Sequence, residues 1–203
     1  MQTPSLAMSQ IFSVDQPQLL SRFLYTNPVC LLTSSKKDNS IILRNIMTIS
    51  WITLVDNHAH FICSMNKKRF TASLISESSD FILNVPVKGM ESVVTSIGGC
   101  TGQKVDKWAE IPNVTPSRFG WMDGGDLNEE INWGIDECAA QLRCVVDKID
   151  QESNSGHNLL HCTIKKAFVK EKYWNGKHFA PRDKTVMPYL TFLGSGKFGY
   201  VTV

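Results

Sequence analysis

The chain has 203 residues, 42% of them hydrophobic and 20% charged, and its 21 Lys+Arg against 19 Asp+Glu leave a net charge of +2. Domains of ~100–200 residues are usual, so the length fits one domain, or one domain with a sizeable insertion. The composition excludes a disordered chain, and the near-neutral charge argues against a chain-wide nucleic-acid binder.

No run of ~18 apolar residues occurs, so no membrane span is expected. Met1 to Gln10 has neither a basic n-region nor an apolar h-region, and a cytoplasmic location is expected. The six cysteines are scattered, with no C-x-x-C pair, and read as reduced and mainly core-filling.

In chain order, Asp15 stands as an N-cap before Pro17 and Gln18, and Leu19, Leu20, Phe23 and Leu24 repeat at helical spacing until Asn27-Pro28. Val29 to Thr33 reads as a short buried strand and Ser34 to Ser40 as a polar turn. Ile41 to Trp51 and Ala59 to Ser64 are further extended runs, and Phe81 to Val85 is a strand stopped by Pro86. Met90, Val93, Val94 and Ile97 fall on one helical face, ended by Gly98-Gly99. Val105, Trp108 and Ala109 suggest a short helix, and Ile111 to Gly134 a long loop. Alternation over Cys138–Val146 and again over Leu160–Ile164 marks two strands joined at Ser153 to Gly156, and the chain ends in Tyr189–Gly194 and Gly199–Val201. Strands dominate without regular βαβ alternation, so the expected class is mainly β with peripheral helices, a closed or nearly closed antiparallel barrel. Residues 1–27 read as an N-terminal extension with a helix, and 28–203 as the domain.

Two stretches carry chemistry. From Phe61 to Ile75 the sequence reads strand, basic loop (Lys67, Lys68, Arg69), then a helix with Thr71 as N-cap. Three cations ahead of a helix start, with hydroxyls at Ser64 and Thr71, suit a phosphate monoester; they also suit a solvated turn. In Arg44 to Trp51, extended backbone sends Asn45, Met47, Ile49 and Trp51 to one side. That face could border a planar heterocycle, or belong to an ordinary barrel strand. Gly194 to Gly199 matches G-x-G-x-x-G, but only Tyr200 to Val203 follow, so no dinucleotide-binding βαβ unit can form there.

Taken together, Asn45-x-Met47-Thr48-x-Ser50-Trp51, Arg69-Phe70-Thr71, Phe81 to Pro86, Thr101-Gly102-x-x-x-Asp106-Lys107-Trp108, Gly156-His157, Pro188-Tyr189-Leu190 and Tyr200 resemble, in this order, the flavin reductase-like proteins, flavoredoxins in particular. The resemblance implies a split β-barrel that binds FMN as a homodimer. It implies that Ser64, Arg69 and Thr71 hold the phosphate with Lys68 nearby. Asn45, Thr48, Ser50 and Trp51 would border the isoalloxazine and ribityl chain, with Met47 and Ile49 from the same strand. Lys107 and His157 would approach the ring from elsewhere on the dimer as catalytic groups, His161 being the substitute for His157. The activity implied is an FMN-dependent oxidoreductase that takes electrons from NAD(P)H to flavin or another acceptor. The alternative is an electron carrier with a protein redox partner. The alternative for Lys107 is a surface residue on the helix ending in Trp108; Cys100 either faces the ring or is a small residue after a helix cap. A metal site at His157, His161 and Cys162 is the weakest reading, because on a strand Cys162 points away from both histidines.

Overall fold

The computed structural model of the chain describes residues 14, 16–117, 133–151 and 156–203. A short helix α1 (Pro17–Leu20) runs into a 3-10 turn at Ser21–Leu24, and Gln16 occupies the N-cap position; Asp15 lies outside the described residues. The strands are β1 (Asn27–Pro28), β2 (Cys30–Asp38), β3 (Ile41–Ile49), β4 (Ile52–Leu54), β5 (His60–Asn66) and β6 (Asp80–Val85). They continue with β7 (Pro116–Ser117), β8 (Gly134–Ile135), β9 (Ala140–Gln151), β10 (His157–Val169), β11 (Tyr189–Gly194) and β12 (Lys197–Val201). Helix α2 (Phe70–Leu74) follows β5, while α3 (Glu91–Gly99) and α4 (Lys107–Glu110) follow β6.

Seven strands form one antiparallel sheet in the order β3-β2-β6-β9-β10-β5-β4. Its two edge strands are consecutive in the chain, separated only by Ser50 and Trp51. One run of chain therefore pairs with β2 through its first half and with β5 through its second, and the Ser64 N–H donates to the Trp51 carbonyl at 2.9 Å beside the break. A sheet whose edges belong to one strand is curled into a nearly closed barrel, which removes the exposed edges an open sheet would carry. Strands β1, β11 and β12 make a separate three-stranded sheet.

Alternation sorts the side chains into two cores. Cys30, Leu32, Met47, Ile49, Phe61, Cys63, Met65, Phe81, Leu83, Cys144, Val146, Leu160 and Cys162 fill the barrel. Val29, Leu31 and Ile46 face outward and are covered by Val93, Val94 and Ile97 of α3, with Leu190 of the small sheet. Strand β2 is thus buried on both faces, which is why Val29 to Leu32 reads as a continuous apolar run. Burial explains the thiols too: it pushes Cys30 and Cys162 up to about 12, keeping them protonated and inert. Asn84, fully buried, is satisfied on both sides: its Nδ2 donates to the Leu31 carbonyl at 2.7 Å and its Oδ1 accepts from the Ile135 N–H at 2.8 Å.

Several expectations need correction. Ser34 to Ser40 is not a turn: β2 continues to Asp38, registered on Ile41, and only Asn39 and Ser40 turn. The stretch is polar because its outer end, from Lys36, is exposed. Helix α3 begins at Glu91, with Met90 in the cap position, and runs through both glycines to Cys100. Val105 precedes α4, whose N-cap is Asp106, the acceptor of the Trp108 N–H at 3.0 Å. Most of the expected long loop, and the turn at 152–155, lie outside the described residues; Pro116–Ser117 pairs with Gly134–Ile135. Gly194 to Gly199 is a hairpin whose central residues Ser195 and Gly196 both have positive φ (50° and 72°), as a two-residue turn between twisted strands requires.

Candidate cofactor site

A polar cleft lies where β3, the loop after β5, the end of α3 and the start of α4 meet. Asn66 builds the loop. Its Oδ1 accepts the Lys68 N–H at 2.9 Å and its carbonyl accepts the Arg69 N–H at 3.1 Å, a turn that leaves Lys68 and Arg69 exposed at its tip. Arg69, not Thr71, is the N-cap residue of α2. Thr71 lies inside the helix, fully buried, and its Oγ1 accepts from Asn45 Nδ2 at 2.7 Å. With five residues, α2 carries little macrodipole, so any preference for an anion here rests on the cations and the hydroxyl.

Asn45 is 4% exposed, and its Oδ1 has no partner in the protein. A buried amide oxygen left without a donor costs ~1–3 kcal/mol, and Asn45 lines the cleft, so a ligand hydroxyl or N–H reaching this residue would offset that cost. Gly102 closes over it: a Cβ there would stand 2.1 Å from Asn45 Oδ1 and 3.0 Å from Phe70, so only glycine admits this approach. Thr48, at the opposite wall, donates to the Val94 carbonyl at 2.6 Å, which fixes β3 against α3.

Lys107 is buried, 4% exposed, and its ammonium donates to the Ile46 and Ile97 carbonyls at 2.8 Å each. It therefore ties the last turn of α3 to β3 while lining the cleft. Burial pulls its pKa below the usual lysine range, opposed by Cys100 and assisted by Arg69. The surface alternative for Lys107 is thus overturned, and it stands in the same chain's cleft as Arg69 and Thr71. Cys100, also in the cleft wall, donates its thiol to the Ser96 carbonyl at 3.3 Å.

The structure therefore brings Asn45, Met47, Thr48, Lys68, Arg69, Thr71 and Lys107 together. Ser50, Trp51, Ser64 and His157 lie outside the cleft. Ser64 is on the outward face of β5, and the His157 ring lies 5.1 Å from the half-exposed Trp51. Ile49 sends its side chain into the barrel core, so its expected place at a ring border is corrected to a packing position. Met47 shares that core and reaches the cleft. His161 is engaged elsewhere, with Nε2 2.9 Å from Asp150 Oδ2, and Cys162 points into the core. Among the described residues no group of three or more His, Cys, Asp or Glu could hold a metal. Sequence reasoning missed Phe70, Ile97, Gly98, Thr101 and Gly102 as cleft residues; Gly98 stands 3.5 Å from Thr48 by its absent Cβ, and the Gly98-Gly99 pair was its signal.

The enclosed part of the cleft is about 80 Å³, enough for a phosphate-sized head from which a larger ligand would extend. A much larger cavity, about 970 Å³, opens elsewhere, but no charged residue lines it among the described residues, and a phosphate dianion would be costly there. The small polar cleft is therefore the candidate for an anionic cofactor.

Comparison with known proteins supports the same direction. The model of the Flavin reductase like domain family matches residues 20–181. No curated protein matches the chain. Among solved structures, the chain resembles a flavoredoxin from Methanosarcina acetivorans at TM-score 0.70 and 20% identity, covering 96% of this chain and 93% of that one. It resembles an FMN-binding protein from Thermus thermophilus with bound 1-cyclohex-2-enone at TM-score 0.70 and 15% identity, covering 95% and 96%. It also resembles the NADH:FAD oxidoreductase of Streptomyces globisporus at TM-score 0.64 and 14% identity, covering 96% and 100%. These identities speak for the fold. No helix among the described residues is long and apolar enough to cross a membrane. With most of its length matched by the family model and its barrel shared with these structures, the chain belongs to the flavin reductase like domain family, a flavin-related oxidoreductase family.

Proposed function

We propose that the chain is an FMN-dependent oxidoreductase of the flavin reductase type, a cytoplasmic homodimer that passes electrons from NAD(P)H to flavin or another acceptor. The observation that carries this reading is the cleft. It has one unpartnered buried acceptor, Asn45 Oδ1, two exposed cations at its rim and a buried ammonium at its base. That donor set fits a phosphate monoester with a hydroxylated tail. The free thiols fit a reducing compartment.

In this reading Arg69 and Lys68 pair with the phosphate, and the Thr71 hydroxyl adds a donor. Asn45 accepts from the tail, and Gly102 keeps the floor low enough for it. Strand β3 leads from there to Ser50 and Trp51, which with Ser64 and His157 border the flat ring. Bound FMN would supply the hydride-accepting and electron-releasing chemistry. Lys107 holds its proton between two carbonyls and adds fixed positive charge near the reduced, anionic form of the cofactor. His157, braced against Trp51, is the candidate proton donor at the open side.

The second reading is an FMN electron carrier, favoured by the likeness to flavoredoxins. Steady-state NADH or NADPH oxidation with free flavin as acceptor separates the two. Turnover supports the reductase; bound FMN that accepts electrons from a redox protein but not from either nicotinamide supports the carrier. Sedimentation in the presence of FMN tests the homodimer, and a monomer at micromolar concentration would count against it.

A further inference from the structure

The large cavity has no role in the reading above. It lies between one mouth of the barrel and the small sheet. Its floor is the barrel core at Cys30, Phe61 and Leu83, and its roof is the small sheet at Leu190 with Phe179 from the preceding loop. Small side chains at Ala140 and Ala167 leave the volume, about 970 Å³, unfilled. Protein interiors close-pack, and an apolar void of this size offers water almost no partners. Two of the four hydroxyl residues along it are already engaged: Thr191 Oγ1 donates to the Asn27 carbonyl at 2.7 Å, and Tyr189 Oη to the Phe179 carbonyl at 3.4 Å. Among the described residues, the 21 that line it are uncharged, and none is a histidine. The rim opens to solvent beside Leu54 and Trp174, 68% and 39% exposed.

We propose that this cavity is a binding site for a neutral, apolar small molecule, separate from the polar cleft. The uncharged lining selects against FMN, nicotinamide dinucleotides and other anions, whose desolvation these described residues would not offset. The volume falls in the ~300–1,000 Å³ range of small-molecule sites. Aromatic walls from Phe61, Phe179 and Trp174 favour a ligand with a flat unsaturated portion. The cavity also begins at Ile52, the residue after Trp51, so its occupant would sit beside the strand that leads out of the cleft.

The test titrates the full chain with Nile red, a neutral apolar dye, with and without saturating FMN. The expected result is a saturable fluorescence rise at one dye per chain that FMN does not displace. Leu54→Trp and Ala167→Trp place bulk into the cavity from strands β4 and β10 at exposed positions. Each should weaken dye binding by about tenfold or more while FMN affinity stays unchanged, which also shows that the variants fold. Dye binding in a chain that fails to bind FMN would still support the site. No saturable binding, binding that survives both variants, or competition by FMN would overturn it. So would dye release as the chain is concentrated through self-association, an outcome that assigns the cavity to a second copy.

Discussion

Replacing Lys107 by methionine should destabilise the protein even before any cofactor is considered. The ammonium is buried and donates to two backbone carbonyls, Ile46 and Ile97, at 2.8 Å each. Hydrogen bonds from a charged group contribute ~1.5–3 kcal/mol each, and a buried carbonyl left unpaired costs ~1–3 kcal/mol. Methionine fills most of the same volume, so no large cavity opens, but it donates nothing. Against the loss stands the relief of no longer burying a charge, the effect that lowers this lysine's pKa. A net loss of ~2–4 kcal/mol is the balance of those figures. Equilibrium urea unfolding of the cofactor-free protein, read from the midpoint at constant slope, measures it. A loss below ~0.5 kcal/mol, the scatter of ordinary surface substitutions, would mean that the two bonds are not made in solution and that Lys107 does not tie α3 to β3. In the loaded protein the same substitution should lower the midpoint potential of the flavin, because it removes positive charge that favours the anionic reduced form.

Gly102→Ala should weaken FMN binding by about tenfold or more, ~1.4 kcal/mol, because its Cβ would stand 2.1 Å from Asn45 Oδ1; unchanged affinity by fluorescence titration would show that the cleft adapts. Thr71→Val should cost ~1–3 kcal/mol of stability, since Asn45 Nδ2 would lose its acceptor in a buried site; a neutral result in thermal unfolding would dismiss that bond. Asp150 is held below the ordinary aspartate range by Lys148 first and His161 next. A depressed folded pKa gives stability that is present above the unfolded value of 3.8 and lost as pH falls through the folded one. Asp150→Asn should therefore unfold earlier than the wild type near neutrality and converge with it in acid, and a gap that persists at the lowest pH would contradict the pairing.

Much of the barrel was legible because alternation in β9 and β10 and the apolar run at Val29 report faces directly. The helical pattern at Met90, Val93, Val94 and Ile97 was equally clear, since one face of α3 covers Ile46 and Leu31. The cation-rich loop could be seen as a site candidate, but its geometry could not. Thr71 reads as an N-cap because threonine favours that position, yet tertiary contact with Asn45 draws it into the helix interior. Lys107 was opaque for a similar reason. Its neighbours Asp106 and Glu110 look solvated, and its burial depends on carbonyls at Ile46 and Ile97, which only the folded chain brings near. Ile49 was misplaced because the face shared with Asn45 and Met47 turns into the barrel, and the break at Ser50 releases Trp51 to solvent. The apolar cavity left no local trace, since its walls come from eight or more separated segments of ordinary strand sequence.

The central claim is that the polar cleft recognises the phosphate end of FMN. Parallel calorimetric titrations with FMN and with riboflavin, on the wild type and on Arg69→Ala, test it most directly. The account predicts one FMN per chain, much weaker binding of riboflavin, and a loss of ~1.5–3 kcal/mol in Arg69→Ala for FMN alone. Equal affinity for FMN and riboflavin in the wild type, or an Arg69→Ala variant that binds FMN as tightly as before, would contradict it.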